Sequence, residues 1–305
     1  MKQLLLVPAL VLAGALGLLA ASCGGDGEAT PAGPVPSAPT SETVTGSATE
    51  EVPPPTTEEG ETEPAAGTVT YQVWWHTTDG LFVSYRTEGR TPRIGTAALE
   101  ALLEGPESFE NEYGLGTSVP DGTQLLGLTI EDGIARVDLT SEYESGGGSA
   151  SMQMRLAQVV YTITQFPTVE GVVFSLDGRP IEVLGGEGVV LDHPLTRKDY
   201  ADLLPPILVL RPTFGEPVSS PVEIRGSANV FEANVSVEVL SAKGKVLART
   251  FTTATCGTGC RGTYRVAVPF EVAREQDGWI VVHDDDAAGV GRPPHEVRIP
   301  VRLVP

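Results

Sequence analysis

Three thiols, four imidazoles and one run of three aspartates are the side chains through which this 305-residue chain could do chemistry. A cysteine sulfur can be acylated, oxidised to a disulfide or bound to zinc, histidine moves protons, and clustered carboxylates offer oxygen ligands to a hard cation. Their placement narrows these uses. His76, His193, His283 and His295 are dispersed among strand ends and connecting segments, and neither an HExxH nor a GxSxG pattern occurs. Asp284, Asp285 and Asp286 are consecutive, so their side chains alternate in direction and EF-hand spacing is missing; a solvated loop is favoured over a calcium site. Glu104, Glu107 and Glu110 at three-residue spacing read as a solvated face and not as a catalytic carboxylate pair. We therefore expect no catalytic residue, no metal site and no cofactor, and a chain that is not an enzyme.

The first thiol, Cys23, closes an uncharged run from Leu4 to Ala21 that is long enough to span a bilayer if wholly helical. A permanent membrane helix is thus one reading. The single Lys2 before the run, its Ala/Leu/Gly content and the small residues Ala20, Ala21 and Ser22 fit a cleavable signal over residues 1–22. Leu19-Ala20-Ala21-Ser22-Cys23 resembles the bacterial lipoprotein box, departing from it at Ala20, where leucine is commoner. The resemblance implies that Cys23 is lipidated and becomes the mature N-terminus. One fatty chain holds a protein marginally and two or three hold it firmly, so the expected location is the extracytoplasmic face of the cell membrane, lipid-anchored.

With Cys23 assigned to lipid, Cys256 and Cys260 remain as a pair in TCGTGC. The glycines around Thr258 suit the positive-φ positions of a short hairpin loop that would set the two cysteines opposite each other. A disulfide is then expected in an exported chain. Zinc is the rival, but it wants about four ligands and there is no second cysteine pair; a Cys-x-x-Cys redox motif is also absent.

Residues 23–68 are rich in Thr, Glu, Pro, Ala and Gly and contain nine acids with no Lys or Arg. Such a segment buries too little apolar surface to offset the entropy of ordering, so we expect a disordered acidic tether, extended by proline and like-charge repulsion. The formal net charge of −20 and the lack of any basic cluster disfavour nucleic acid and anionic membrane surfaces as partners.

Within residues 69–190, TVTYQVWWHTT and GLFVSYRTE read as strands around Thr78-Asp79-Gly80. TAALEALLEGP carries Ala98, Leu99, Leu102 and Leu103 at helical spacing and stops at Gly105-Pro106. Two strands follow about Asp132-Gly133, then a helix with Met152, Leu156, Val159, Val160 and Ile163 on one face, then a hairpin about Asp177-Gly178. This order predicts an α+β domain with two helices on one sheet face. Trp74 and Trp75 are adjacent in a strand and point to opposite faces. One is expected in the core and the other under a neighbouring loop, with a partner-binding platform as the alternative. Tyr161, Thr162 and Gln165 could form a polar rim on the second helix or serve packing and capping.

ALEALLEGP, SVPDGTQLLGLTIEDGIARVDLTSEY and LAQVVYTITQFPTVEGVVFSLDG, in that order over about 110 residues, resemble the GerMN domain of sporulation and germination proteins. The resemblance implies an interaction module found in envelope lipoproteins and sporulation assemblies, with no catalytic residue set. After a linker at 191–205, residues 206–305 show seven short strand-like runs separated by Gly-, Pro- and Asn-rich turns, which predicts an all-β immunoglobulin-like sandwich. LRPTFGEPVSSPVEIRGSANVFEANVSVEVLSAKGKVL and EVRIPVRLV resemble the immunoglobulin-like domain of bacterial spore germination, which implies adhesion or assembly without a cofactor. The function expected is a non-catalytic binding or scaffolding lipoprotein whose partner is an envelope protein or cell-wall polymer. The alternatives are a wall-glycan adhesin using an exposed Trp74, Trp75 or Trp279, and a wall-active hydrolase.

Overall fold

The computed structural model describes residues 67–186, 188–285, 291 and 293–305, and these belong to one compact unit. Residues 1–66, which hold the expected signal segment, Cys23 and nearly all of the acidic segment, and Asp286 lie outside the described residues.

β1 (Thr68–Thr77) and β2 (Gly80–Gly89) form an antiparallel hairpin in unbroken register. α1 (Ile94–Glu104) turns Ala98, Leu99 and Leu102 into the core and ends at Gly105, whose φ of 89° favours glycine. α2 (Ser108–Glu112), β3 (Leu125–Glu131), β4 (Ile134–Leu139), α3 (Ser149–Ile163), β5 (Gly171–Leu176) and β6 (Arg179–Pro180) follow. β3, β4, β5 and β6 make a four-stranded sheet in that order, with β4 and β5 parallel and α3 as their crossover. Asp132 (φ 49°) and Gly133 (φ 80°) form the β3–β4 turn, the left-handed pair that a two-residue hairpin requires. A short ladder of β7 (Val183–Leu184) and β8 (Val189–Val190) ends the module.

The helices do not cover one face of a single sheet. The β1–β2 hairpin is a separate sheet, and α1 and α3 each touch β1 as well as the four-stranded sheet. The reason lies on the edge of β1 that faces away from β2. Gln165 Nε2 donates to the Gln72 carbonyl and Gln165 Oε1 accepts from the Gln72 N–H, both at 2.7 Å. Thr162 Oγ1 accepts from the Trp74 N–H at 3.1 Å, and Gln158 Nε2 donates to the Trp74 carbonyl at 3.0 Å. His76 completes the row by exchanging both backbone bonds with Gly116 at 2.9 Å. Side chains one turn apart on α3 and the turn that follows it thus stand in for a missing strand, and no buried backbone group of this edge needs a further partner. Thr162 and Gln165 are accordingly structural, not a rim.

A 3-10 segment at Arg197–Leu203 leads to the second module. Its strands are β9 (Ile207–Arg211), β10 (Pro217–Val218), β11 (Val222–Ala228), β12 (Asn234–Ser241), β13 (Val246–Thr253), β14 (Gly262–Val268), β15 (Gln276–His283) and β16 (Glu296–Leu303). They form a five-stranded sheet, β10-β16-β15-β12-β13, and a three-stranded sheet, β14-β11-β9. Period-two burial runs through both: Val235, Val237 and Val239 on β12 and Val222 and Ile224 on β11 are inside.

Cys256 and Cys260 are disulfide-bonded, with Cα atoms 5.7 Å apart. Their loop differs from the hairpin expected of it. β13 pairs with β12 and β14 with β11, so the loop carries the chain from one sheet to the other. The left-handed positions are Thr258 (φ 51°) and Gly259 (φ 98°); Gly257 is needed for close approach, since a Cβ there would stand 2.5 Å from the Ala233 nitrogen. On the chain-entropy model, closing so small a loop stabilises by about 2 kcal/mol.

The buried residues of both modules form one continuous core. Where they meet, Phe82 of β2 packs edge-on to Phe214 at 5.1 Å, and the Tyr85 hydroxyl donates to the Leu210 carbonyl at 3.0 Å. The Arg211 guanidinium lies 3.8 Å from the centre of the Tyr85 ring.

Candidate functional site

The residues singled out for chemistry are mostly occupied by structure. The His193 imidazole lies on the surface, 2.6 Å from Asp192 and 3.2 Å from Asp199, and these hydrogen bonds, to Asp192 first, raise its pKa above the ordinary histidine range. The aspartate run is not simply a solvated loop. Asp284 is buried, with its carboxylate accepting from the His295 N–H at 2.7 Å and lying 2.9 Å from His295 Nδ1, where β15 gives way to β16. Asp285 stays exposed and accepts from Ser236. Among the described residues, no group of three or more His, Cys, Asp or Glu is placed to hold a metal ion.

Trp74 and Trp75 are both buried, so neither is a platform. Trp74 packs at 4.7 Å against Tyr161, and Arg197 lies over both rings. Trp75 Nε1 donates to Ser84 Oγ at 2.7 Å, and Arg86 sits 5.6 Å from its ring centre.

From Arg86 the network reaches α2. Arg86 Nη1 and Nη2 donate to the two oxygens of Glu110 at 2.9 and 2.6 Å, and the Glu107 N–H donates to Glu110 at 2.8 Å. Glu110 is 1% exposed and therefore belongs to no solvated face. Burial pushes its carboxyl pKa up, but the hydrogen bonds from Arg86, Ser84 and the Glu107 backbone outweigh that and hold it below the ordinary range. This bidentate clamp fixes one turn of helix against β2.

With Glu110 turned in, its neighbours face out. Phe109 and Tyr113 are 37% and 43% exposed, the most exposed aromatic side chains of the first module. They line a cleft of about 390 Å³ together with Glu112 and, from the second module, Asp277, Trp279 and Arg302. Tyr113 and Trp279 meet edge to face, 5.6 Å apart at 81°. Perpendicular rings give the cleft two aromatic walls. Neither the Glu112 nor the Asp277 carboxylate has a hydrogen-bond or ion-pair partner among the described residues, whereas Arg302 lies 3.4 Å from Glu275. Of the three tryptophans, Trp279 alone reaches solvent. Phe109, Glu112 and Tyr113 escaped the sequence reading because a five-residue helix is too short to show a period; the available signal was the acid at Glu110, three residues after Glu107 in a helix-start pattern.

Residues 72–182 match the family model described as sporulation and spore germination, and residues 206–290 match that of the immunoglobulin-like domain of bacterial spore germination. Each module thus carries a domain described in sporulation and spore germination families. More narrowly, the chain is GerM-like: a GerMN-type module followed by a C-terminal immunoglobulin-like germination domain. Among solved structures, the first GerMN domain of the sporulation protein GerM from Bacillus subtilis shares 24% identity over 43% of this chain and 99% of its own, with a TM-score of 0.37. The tandem GerMN domains of the same protein share 13% identity over 78% of this chain and 61% of theirs, with a TM-score of 0.38. No curated protein is significantly similar in sequence.

Proposed function

We propose that this chain is a non-catalytic binding and scaffolding component of the cell envelope, lipid-anchored through Cys23 on the extracytoplasmic face. Its partner is an envelope protein or a wall polymer, and the acidic segment over 23–68 serves as the spacer between membrane and modules. The observation that carries this reading is the contrast inside the described residues: Glu110, Asp284 and the buried tryptophans are tied into the fold, while a recognition cleft shared by both modules stands open. Open aromatic clefts at module junctions are where ligands bind. The lipoprotein-box sequence before Cys23 supports the location, and among the described residues no helix is long and apolar enough to cross a membrane. Cys23→Ser, followed by fractionation and labelling with a fatty-acid analogue, tests the anchor. We expect label to vanish and the chain to leave the membrane; a variant that stays labelled and membrane-bound overturns the reading.

A further inference from the structure

We propose that the cleft between α2 and the β15–β16 end of the sandwich is a binding site for a neutral pyranose glycan. The inference rests on the extracytoplasmic reading above, and it names the ligand class and the residues that take it. The rings of Tyr113 and Trp279 stand perpendicular and partly open to solvent. A ring face is negative, and the axial C–H bonds on one side of a sugar ring offer it a positive surface. Glu112 and Asp277 flank these walls with carboxylates that have no partner among the described residues. An ionised carboxylate only accepts hydrogen bonds, and its two oxygens suit adjacent hydroxyl donors.

The same lining argues against other occupants. The two acids make the lining net negative and disfavour a phosphate or carboxylate polymer, and Arg302, directly across the β15–β16 ladder from Asp277, repels an ammonium or guanidinium group. Phe109, Tyr113, Trp279 and Arg302 are types enriched in protein interfaces, but Glu112 and Asp277 disfavour the dry centre of one, which is depleted in Glu and Asp. The volume of about 390 Å³ falls in the range of small-ligand sites, roughly 300–1,000 Å³. Elsewhere in the chain the faces of Trp74, Trp75, Tyr85, Tyr143 and Tyr161 are each covered by an internal arginine. No such cation lies over Tyr113 or Trp279 among the described residues.

The test is a titration of the full chain in detergent with a soluble N-acetylglucosamine tetramer, read by tryptophan emission and by calorimetry. With Trp74 and Trp75 buried, a change in emission reports on Trp279. We expect saturable binding that weakens at least tenfold in Trp279→Ala and in Asp277→Asn, the latter being a change too small to disturb the fold. Absence of saturable binding by the parent chain, or equal affinities in parent and both variants, overturns the proposal. So does a photo-crosslinker at Tyr113 that captures a protein the tetramer cannot displace. An acylated, membrane-bound chain that ignores the tetramer defeats the glycan site and leaves the anchor standing; tetramer binding by a chain never acylated at Cys23 does the reverse.

Discussion

Glu110 and Glu112 sit two residues apart on the same turn of helix and meet opposite fates. Glu110 is clamped by Arg86 beneath Ser84 and Trp75; Glu112 faces a cleft beside Tyr113 and Trp279 with no cationic partner among the described residues. One region is a closed polar network, with each ionised group met by its complement, and the other presents the same residue types to solvent. The difference teaches that residue type alone does not mark a binding surface here. An aromatic next to an acid stabilises the fold where an arginine completes the set, and is available to a ligand where none does.

That comparison can be broken most sharply at its tryptophans. Trp75→Ala should destabilise by about 3–5 kcal/mol in a denaturant melt, the cost of emptying a large core site. Trp279→Ala, half-buried, should cost about 1 kcal/mol; equal losses would erase the distinction between closed and open regions. Next comes the clamp. Arg86→Ala leaves Glu110 buried without its counter-ion and should cost about 3–5 kcal/mol, with Glu110→Gln milder because the amide can still bond. The sign with pH follows from the depressed Glu110 pKa. Its contribution is complete above the unfolded carboxylate value, about 4.3, and is lost as pH falls through the lower folded value. The parent chain should therefore lose stability below about pH 4 by an increment that Glu110→Gln does not show in thermal melts across that range.

A smaller effect is expected at the mimicked strand edge. Thr162→Val keeps shape but leaves the Trp74 N–H without its acceptor, and should cost about 1–3 kcal/mol, with faster amide exchange at Trp74 than at the hairpin-paired Val73. The smallest change belongs to the open side: Glu112→Gln should stay within about 0.5 kcal/mol of the parent, since no partner is lost. A large loss there would mean that Glu112 belongs to the closed network.

Much of the fold was legible because its signals are local. Asp132-Gly133 and Asp177-Gly178 mark turns whose left-handed φ values the structure contains, and the apolar spacing on α1 and α3 points to the residues found buried. What escaped is non-local. Gly257 and Gly259 look like hairpin glycines, yet nothing near them in the chain says that β13 and β14 join opposite sheets; that follows from which neighbours the strands find. The polar run Gln158, Thr162 and Gln165 has helical spacing, but its use as a strand substitute depends on where β1 ends up. The cleft was the least legible part, because α2 and β15 contribute its walls from about 170 residues apart in sequence, and Tyr113 is placed there by non-local packing against Phe214 and Trp279 while Glu110 is held inward.

The uninterrupted core has a bearing on how such chains are inherited and divided. The two family matches stop and restart between residues 182 and 206, which looks like a place where evolution or an experimenter could cut and recombine. Yet severing the polypeptide there would strip cover from Phe82 and Phe214 and hand each half a sticky apolar face. Cutting out either heritable block would open the shared core to water, so either half expressed separately should clump until its missing companion is restored.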